Sequence, residues 1–400
     1  MRKSLLILVL GLVTMVSCNN RQSKNNRDNN IIDTLATINT EMETLSDKTS
    51  MYLLVGTYTS GSSEGIYIYK FDTVSGYSEF KNAVKVKDPS YVAISKDERF
   101  VYAVSETNDS KAAINAFAFD KESGNLKHLN TQLTGGADPC YLSIDRGGKH
   151  IVVANYSGGS ISVFNVQDDG TLLPASQVIH FSGQGTDAER QTKPHLHCVV
   201  YSPDEKYLFA NDLGTDKVHK FNINIENQGD YLQVGIPPFF KVTDGSGPRH
   251  IEFHPSGKYA YLINELSGTV IGFSYNNKAG DLTQFQSIET DTLNAKGSAD
   301  IHISPDGNFL YASNRLKGDG LAIFSIDKEN GMLTRIGYQE TAIHPRNFVI
   351  TPNGKYLLVA SRDNNVIQVF RIEQSTGLLE NTYKDIELDM PVCLKFASLK

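Results

Sequence analysis

Residues Asp244–Leu266 read "DGSGPRHIEFHPSGKYAYLINEL". "RHIEFH" and "YAYLIN" are strand-like and "PSGK" between them is a tight turn, so the stretch reads as a β-hairpin. Its ends carry residues that a buried strand pair would not choose. Arg249 and His250 open the first strand, and Asn264 and Glu265 close the second. In an antiparallel pair the start of one strand lies beside the end of the next. Arg249 and Glu265 are therefore expected to meet at one end of the hairpin.

The hairpin recurs. "PSYVAISKDERFVYAVSE" starts at Pro89, "PCYLSIDRGGKHIVVANY" at Pro139 and "PHLHCVVYSPDEKYLFAND" at Pro194. After the copy at Pro248 come "SADIHISPDGNFLYASNR" at Ser298 and "PRNFVITPNGKYLLVASR" at Pro345. A third strand such as "ISVFNV" or "VIGFSY" follows each hairpin, then a turn and a fourth strand. Four strands repeating about every 50 residues describe a propeller blade. Two fragments remain. "MYLLVGTYT" and "IYIYKFD" match second and third strands without a first, and "MPVCLKFASL" is a first strand with nothing after it. Together they make a seventh blade. The expected fold is all-β: a seven-bladed β-propeller of four-stranded antiparallel blades over residues 51–400, its ring closed by the C-terminal strand. No Gly-His…Trp-Asp pattern of the WD40 type is present, and the chain has no Trp.

The first strand of a blade is innermost, so each hairpin end should lie at the rim of a central channel. First-strand starts place Ser90, Cys140, His195 with His197, Arg249 with His250, Ala299 and Arg346 there. Second-strand ends add Glu106, Asn155 with Tyr156, Asp212, Asn264 with Glu265, Asn314 with Arg315, and Arg362. Counted back from the turns, His197 shares the register of Arg249 and Arg346. The turns inside each hairpin are short and alike. The connections entering the first strands vary, as in "FSGQGTDAERQTK" before Pro194, and variable connections on a rigid scaffold are where binding usually sits.

Single polar residues at blade ends often do no more than tie strands together. As a set, however, Arg249, Arg315 and Arg346, with Arg362 as a further candidate, gather with His195, His197 and Glu265 at one mouth of an acidic protein, whose net charge is −7. Crowded like charges need a counter-charge. Glu106, Asp212 and Glu265 supply part of it, and the remainder suits an anionic ligand, because a guanidinium pairs with phosphate or carboxylate. The acidic balance argues against nucleic acid as a partner. "GSSEG" (Gly61–Gly65) matches the G-x-S-x-G nucleophile pattern, but it lies between strands rather than in the strand–turn–helix context that motif requires. His195 and His197 share a strand face as metal ligands would, yet the neighbouring arginines would repel a cation, so neither metal nor cofactor is expected. Cys140, Cys198 and Cys393 have no paired spacing and read as buried thiols.

The N-terminus, "MRKSLLILVLGLVTMVSC", has a basic tip, an apolar run from Leu5 to Val16, and Ser17 before Cys18. That run is too short for a stable bilayer span and fits a signal-peptide core. It resembles a bacterial lipoprotein signal. Residues 1–17 would be removed, Cys18 lipidated, and the Asn-rich residues 18–50 left as a tether. The expected location is the cell envelope, periplasmic or surface side, with membrane contact only through the lipid. The alternative is cytoplasmic, and a monomer is expected in either case.

The motifs "VANYSGGSISVF", "ERQTKPHLH", "NDLGTDKV", "GSGPRHIEFHPSGKYAYLINEL", "HISPDGNFLYASNR" and "HPRNFVITPNGKYLLVAS" occur in order. In them the chain resembles the lactonase family of seven-bladed propellers, of 6-phosphogluconolactonase type. The family in turn resembles fungal carboxymuconate-cyclising propellers. Their functional His, two Arg and Glu would fall here on His195 or His197, Arg249, Arg315 and Glu265. The resemblance implies hydrolysis of a small anionic sugar lactone. Glu265, His195 or His197 would be the base and Arg249 would face the oxyanion. Arg315 and Arg346 would hold the acid group, with Asn155, Asp212, Asn264 and His250 as further substrate contacts. A non-catalytic binding propeller and a muconate-type lactonising lyase are the alternatives.

Overall fold

The computed structural model describes residues 49–225 and 230–399. The signal segment, Cys18 and the tether lie outside the described residues. Seven antiparallel sheets are formed, each led by an inner strand: Val92–Ile94, Pro139–Ile144, Leu196–Tyr201, Pro248–Phe253, Ser298–Ile303, Pro345–Ile350 and Pro391–Ser398. These define blades 1 to 7 in that order, and neighbouring inner strands pack against one another around the ring. Blade 7 is the composite one. Pro391–Ser398 pairs with Ser50–Thr57, Met51 facing Ser398 and Thr57 facing Pro391, and Gly65–Asp72 and Ser78–Lys85 complete it. The last strand of the chain thus pairs with the first, so no inner edge is left open to another chain. Blade 6 departs from the simple pattern: its outer position is shared by Leu379–Asn381 and Ile386–Glu387, both paired with Val366–Ile372.

Apolar clusters fill the spaces between adjacent blades. The tyrosines have a repeated task there. A second-strand Tyr of one blade donates its hydroxyl to a turn carbonyl of the next: Tyr102 to Gly170, Tyr261 to Gly331 and Tyr311 to Gly377, at 3.1, 2.7 and 2.8 Å. A buried Tyr ring packs as a hydrophobe, but its hydroxyl needs such a partner. The three glycines have φ of 83°, 74° and 73°, the left-handed region that a side chain rarely tolerates.

One local irregularity decides where the site lies. In blades 2 to 6 the pairing of first and second strands slips near the start, at Cys140, His197, Arg249, Ala299–Asp300 and Arg346. A β-bulge leaves a residue unpaired and re-aims its side chain. The shared register of His197, Arg249 and Arg346, counted from the turns, is therefore a ring of bulges at one rim.

Candidate active site

Bulging and alternation split the polar residues of the rim into two groups. The last paired residues of the second strands, Asn155, Asp212, Asn264 and Asn314, turn into their own blades and are buried. Successive side chains along a strand point to opposite sides. The residues that follow, Tyr156, Glu265 and Arg315, therefore point the other way and come together.

At their centre is Glu265. Its Oε2 accepts from Arg249 Nε at 2.9 Å and lies 3.2 Å from Arg315 Nη2. Its Oε1 accepts from Arg190 Nη2 at 2.6 Å. Burial alone would raise its pKa, but Arg315, Arg249 and Arg190 override burial and hold it at about 2. Glu265 is thus a fixed anion and a poor acceptor of protons at neutral pH. Of the three expected bases it is the one the geometry disfavours. Its evident task is to fix three guanidiniums, two of them almost wholly buried.

Those guanidiniums are further held by carbonyls and neutral imidazoles. Arg249 Nη1 donates to the Ala299 carbonyl at 2.6 Å and to His250 Nε2 at 3.2 Å. Arg315 Nε donates to the Gly297 carbonyl at 2.8 Å, and its Nη1 to His344 Nε2 at 3.3 Å. Burial and then the nearby arginines depress both histidines, His250 to about 4 and His344 to about 3, so both remain neutral acceptors. Arg346 differs. Its guanidinium lies 5.5 Å from the Tyr58 ring centroid and 3.9 Å from Glu106, with no hydrogen bond among the described residues. Arg362 is taken up by Asp363, at 2.6 Å.

His195 sits just ahead of the bulge of blade 3. Its Nδ1 lies 3.1 Å from the Tyr156 carbonyl and its ring stacks on Tyr156, centroids 4.4 Å apart. A carbonyl can only accept, so Nδ1 carries the proton and Nε2 the lone pair. Burial lowers the pKa of this imidazole below the ordinary value. His197 is depressed further, first by burial and then by Arg249, and its buried Nδ1 has no partner.

The sequence reading places Asn155, Asp212, Asn264 and His250 among the substrate contacts; the structure gives all four internal work. Asn155 donates to Ser160 and Ser162, and Asn264 to Thr269. Asp212 accepts from the backbone amides of His195 and Gly214 and from Thr215. His250 donates through Nδ1 to Asp300 at 2.7 Å, so both of its ring nitrogens are used. Asp300 is a hub beneath the mouth. It also accepts from Asn347, from the Phe348 amide and from His302, whose other nitrogen pairs with Glu252. Burial would depress His302, but Asp300 and Glu252 hold it up to about 10. Ser63 donates its hydroxyl to the Asp389 carbonyl at 2.6 Å within a loop, while the Asp389 carboxylate accepts from the Ser63 amide rather than from that hydroxyl, so Ser63 is not set up as a nucleophile.

Sequence reasoning missed Arg190. It lies inside the quoted motif "ERQTKPHLH" but in an irregular connection, where no strand periodicity marks which side chain faces the mouth.

Fold and rim together define a propeller whose channel mouth pairs neutral imidazoles with a braced arginine cluster. Residues 52–396 match the family "Lactonase, 7-bladed beta-propeller", and the chain belongs to that family. The 6-phosphogluconolactonase of Bacillus subtilis is 38% identical over 349 residues, 86% of this chain and 97% of the relative. A Bacteroides fragilis structure assigned as a 6-phosphogluconolactonase is 59% identical with a TM-score of 0.85, covering 87% of this chain and 98% of that one. A periplasmic gluconolactonase of Pseudomonas aeruginosa is 34% identical with a TM-score of 0.83, covering 88% and 100%.

Proposed function

We propose that the protein hydrolyses a small anionic sugar lactone to its acid, as a 6-phosphogluconolactonase does. The observation that carries this is that a neutral imidazole of defined tautomer, His195, is held by Tyr156, which Arg190 ties to the ionised Glu265 and the guanidiniums that it braces. Lactone hydrolysis needs a base for water and positive charge where the oxyanion develops. In this reading His195 Nε2 takes a proton as water attacks the carbonyl. Arg249, whose Nη2 has no partner among the described residues, stabilises the oxyanion. Collapse of the tetrahedral intermediate breaks the bond to the ring oxygen, which receives that proton back from His195. Arg315 spends its contacts on Gly297, His344 and Glu265 and so braces the site, whereas Arg346 keeps its donors for the substrate's acid group. Four guanidiniums (Arg190, Arg249, Arg315, Arg346) against two carboxylates (Glu106, Glu265) leave two positive charges, a surplus that suits a phosphate or carboxylate on the lactone.

The test is steady-state hydrolysis of glucono-1,5-lactone and its 6-phosphate, corrected for spontaneous opening. His195→Gln should lower kcat by on the order of 10²–10⁴. It should also abolish the acid limb of the pH profile, which in the wild type lies below the ordinary imidazole range. A wild-type protein that turns over neither lactone, yet is stabilised by the product acid, would favour the binding propeller.

The same reading places the enzyme in the cell envelope, anchored through lipid on Cys18. The apolar leader motivates it, and the Pseudomonas aeruginosa relative, described as periplasmic, supports it. Cys18→Ala should shift the protein from membrane to soluble fractions. Recovery of the wild type from the cytosol with residues 1–17 intact would refute export.

A further inference from the structure

Arg190 is the one member of the arginine cluster that no blade carries. It comes from the connection between Gln177–His180 and Leu196–Tyr201, and its side chain is 36% exposed, against 1% for Arg249 and 7% for Arg315. The connection is pinned from both sides. Gln191, fully buried, donates to the Leu213 carbonyl and to Asp216, each at 2.8 Å, and accepts from the Thr186 and Asp187 amides at 3.0 Å. Asp187 pairs at 2.8 Å with Lys296, which lies between blades 4 and 5. From this fixed segment Arg190 Nη2 reaches Glu265 Oε1 at 2.6 Å and the Tyr156 hydroxyl at 3.3 Å. Tyr156 is the residue whose ring and carbonyl hold His195. One nitrogen therefore joins the two halves of the mouth, the carboxylate that fixes the arginines and the tyrosine that fixes the imidazole.

We propose that Arg190 is a positioning residue for lactone hydrolysis, tying Glu265 to Tyr156 so that the oxyanion side and the base side keep one geometry. This rests on His195 being the base, and it adds a residue outside the His, two Arg and Glu of the related propellers. An arginine suits the task because one Nη carries two N–H donors in fixed directions, whereas a lysine ammonium offers charge without that geometry. Arg190 also bears on the charge state of His195. The charged groups around that imidazole are Arg190 and Lys193, which disfavour its protonation, and Asp212, which favours it; Tyr156 contributes its ring and carbonyl, and His197 lies across the Tyr156 ring. Losing Arg190 removes one of the two cations. His195 then protonates more readily, and the acid limb of kcat/KM moves to higher pH.

The experiment compares wild type, Arg190→Gln and Arg190→Lys by kcat, KM, pH profile and thermal melting. Arg190→Gln should lower kcat by about 10- to 100-fold, as displaced catalytic groups do, change KM less, and shift the acid limb upward. Arg190→Lys should keep the limb near its wild-type place and recover part of kcat. A wild-type kcat and limb in Arg190→Gln would overturn the inference. So would equal damage in both variants with an unmoved limb, which would mean packing alone. A rise confined to KM would make Arg190 a substrate contact and also overturn it. A wild-type rate in His195→Gln would instead overturn the base assignment, and is read separately.

Discussion

Removing the Glu265 carboxylate tests the architecture of the mouth most directly. In Glu265→Ala three guanidiniums lose their shared partner, and Arg249 and Arg315, almost wholly buried, are left as crowded like charges that solvent screens poorly. Removing one partner of a buried ion pair costs about 3–5 kcal/mol. The unfolding entropy of a domain of roughly 350 residues, at about 2.1 cal/mol/K per residue, converts that cost into a fall in Tm of about 4–7 °C. Glu265→Gln keeps the shape and loses the charge, so it should show most of the same fall. The assay is thermal unfolding at one scan rate and neutral pH, with and without sulfate. An anion entering among the freed arginines should raise the Tm of the variant more than that of the wild type. The acid side gives a second signature. A carboxylate held at about 2, against 4.5 when unfolded, contributes stability above about pH 4.5 that is lost as pH falls towards 2. Glu265→Gln should lack that part of the acid loss. A Tm within about 1 °C of wild type, where about 4–7 °C is expected, with an unchanged acid profile, would refute the view of Glu265 as the counter-charge of the cluster.

Three further outcomes follow from the structure. Arg346→Ala should raise KM strongly for the phosphorylated lactone and much less for the neutral one, with kcat little changed, because it removes binding that is uniform along the reaction; equal effects on both lactones would contradict that role. Deleting residues 391–400 strips the inner strand from blade 7 and bares the edge of Ser50–Thr57, so the product should be insoluble or melt well below the full protein, and an unchanged Tm would reject closure by that strand. His302, held up to about 10, contributes stability that is complete below about pH 6.5 and lost as pH rises through 10; His302→Gln should therefore be less stable at neutral pH and show a flatter alkaline decline, and parallel curves would show that the ion pair with Asp300 and Glu252 does not titrate as stated.

The number of blades, their order and the closure of the ring were contained in the sequence. Each hairpin is specified locally, by alternating side chains around a turn such as "PSGK" or "PDGN", and seven copies leave few ways to arrange themselves. The meeting of Arg249 and Glu265 was readable for the same reason, since antiparallel pairing brings opposite ends of a hairpin together without reference to the rest of the chain. What tertiary structure decided depends on distances between blades. That Arg249 is free to turn towards Glu265 rests on a one-residue bulge in the first strand, which leaves it unpaired and re-aims its side chain. Asp300 became a hub because strands of blades 4, 5 and 6 converge on it from far apart in sequence. Arg190 reached Glu265 from a connection with no periodicity to read. Glu265 itself, a plausible base by residue type, became an anchor because three cations from three parts of the chain surround it, and a side chain's proton affinity is set by the charges and solvent around it, which only the folded molecule assembles.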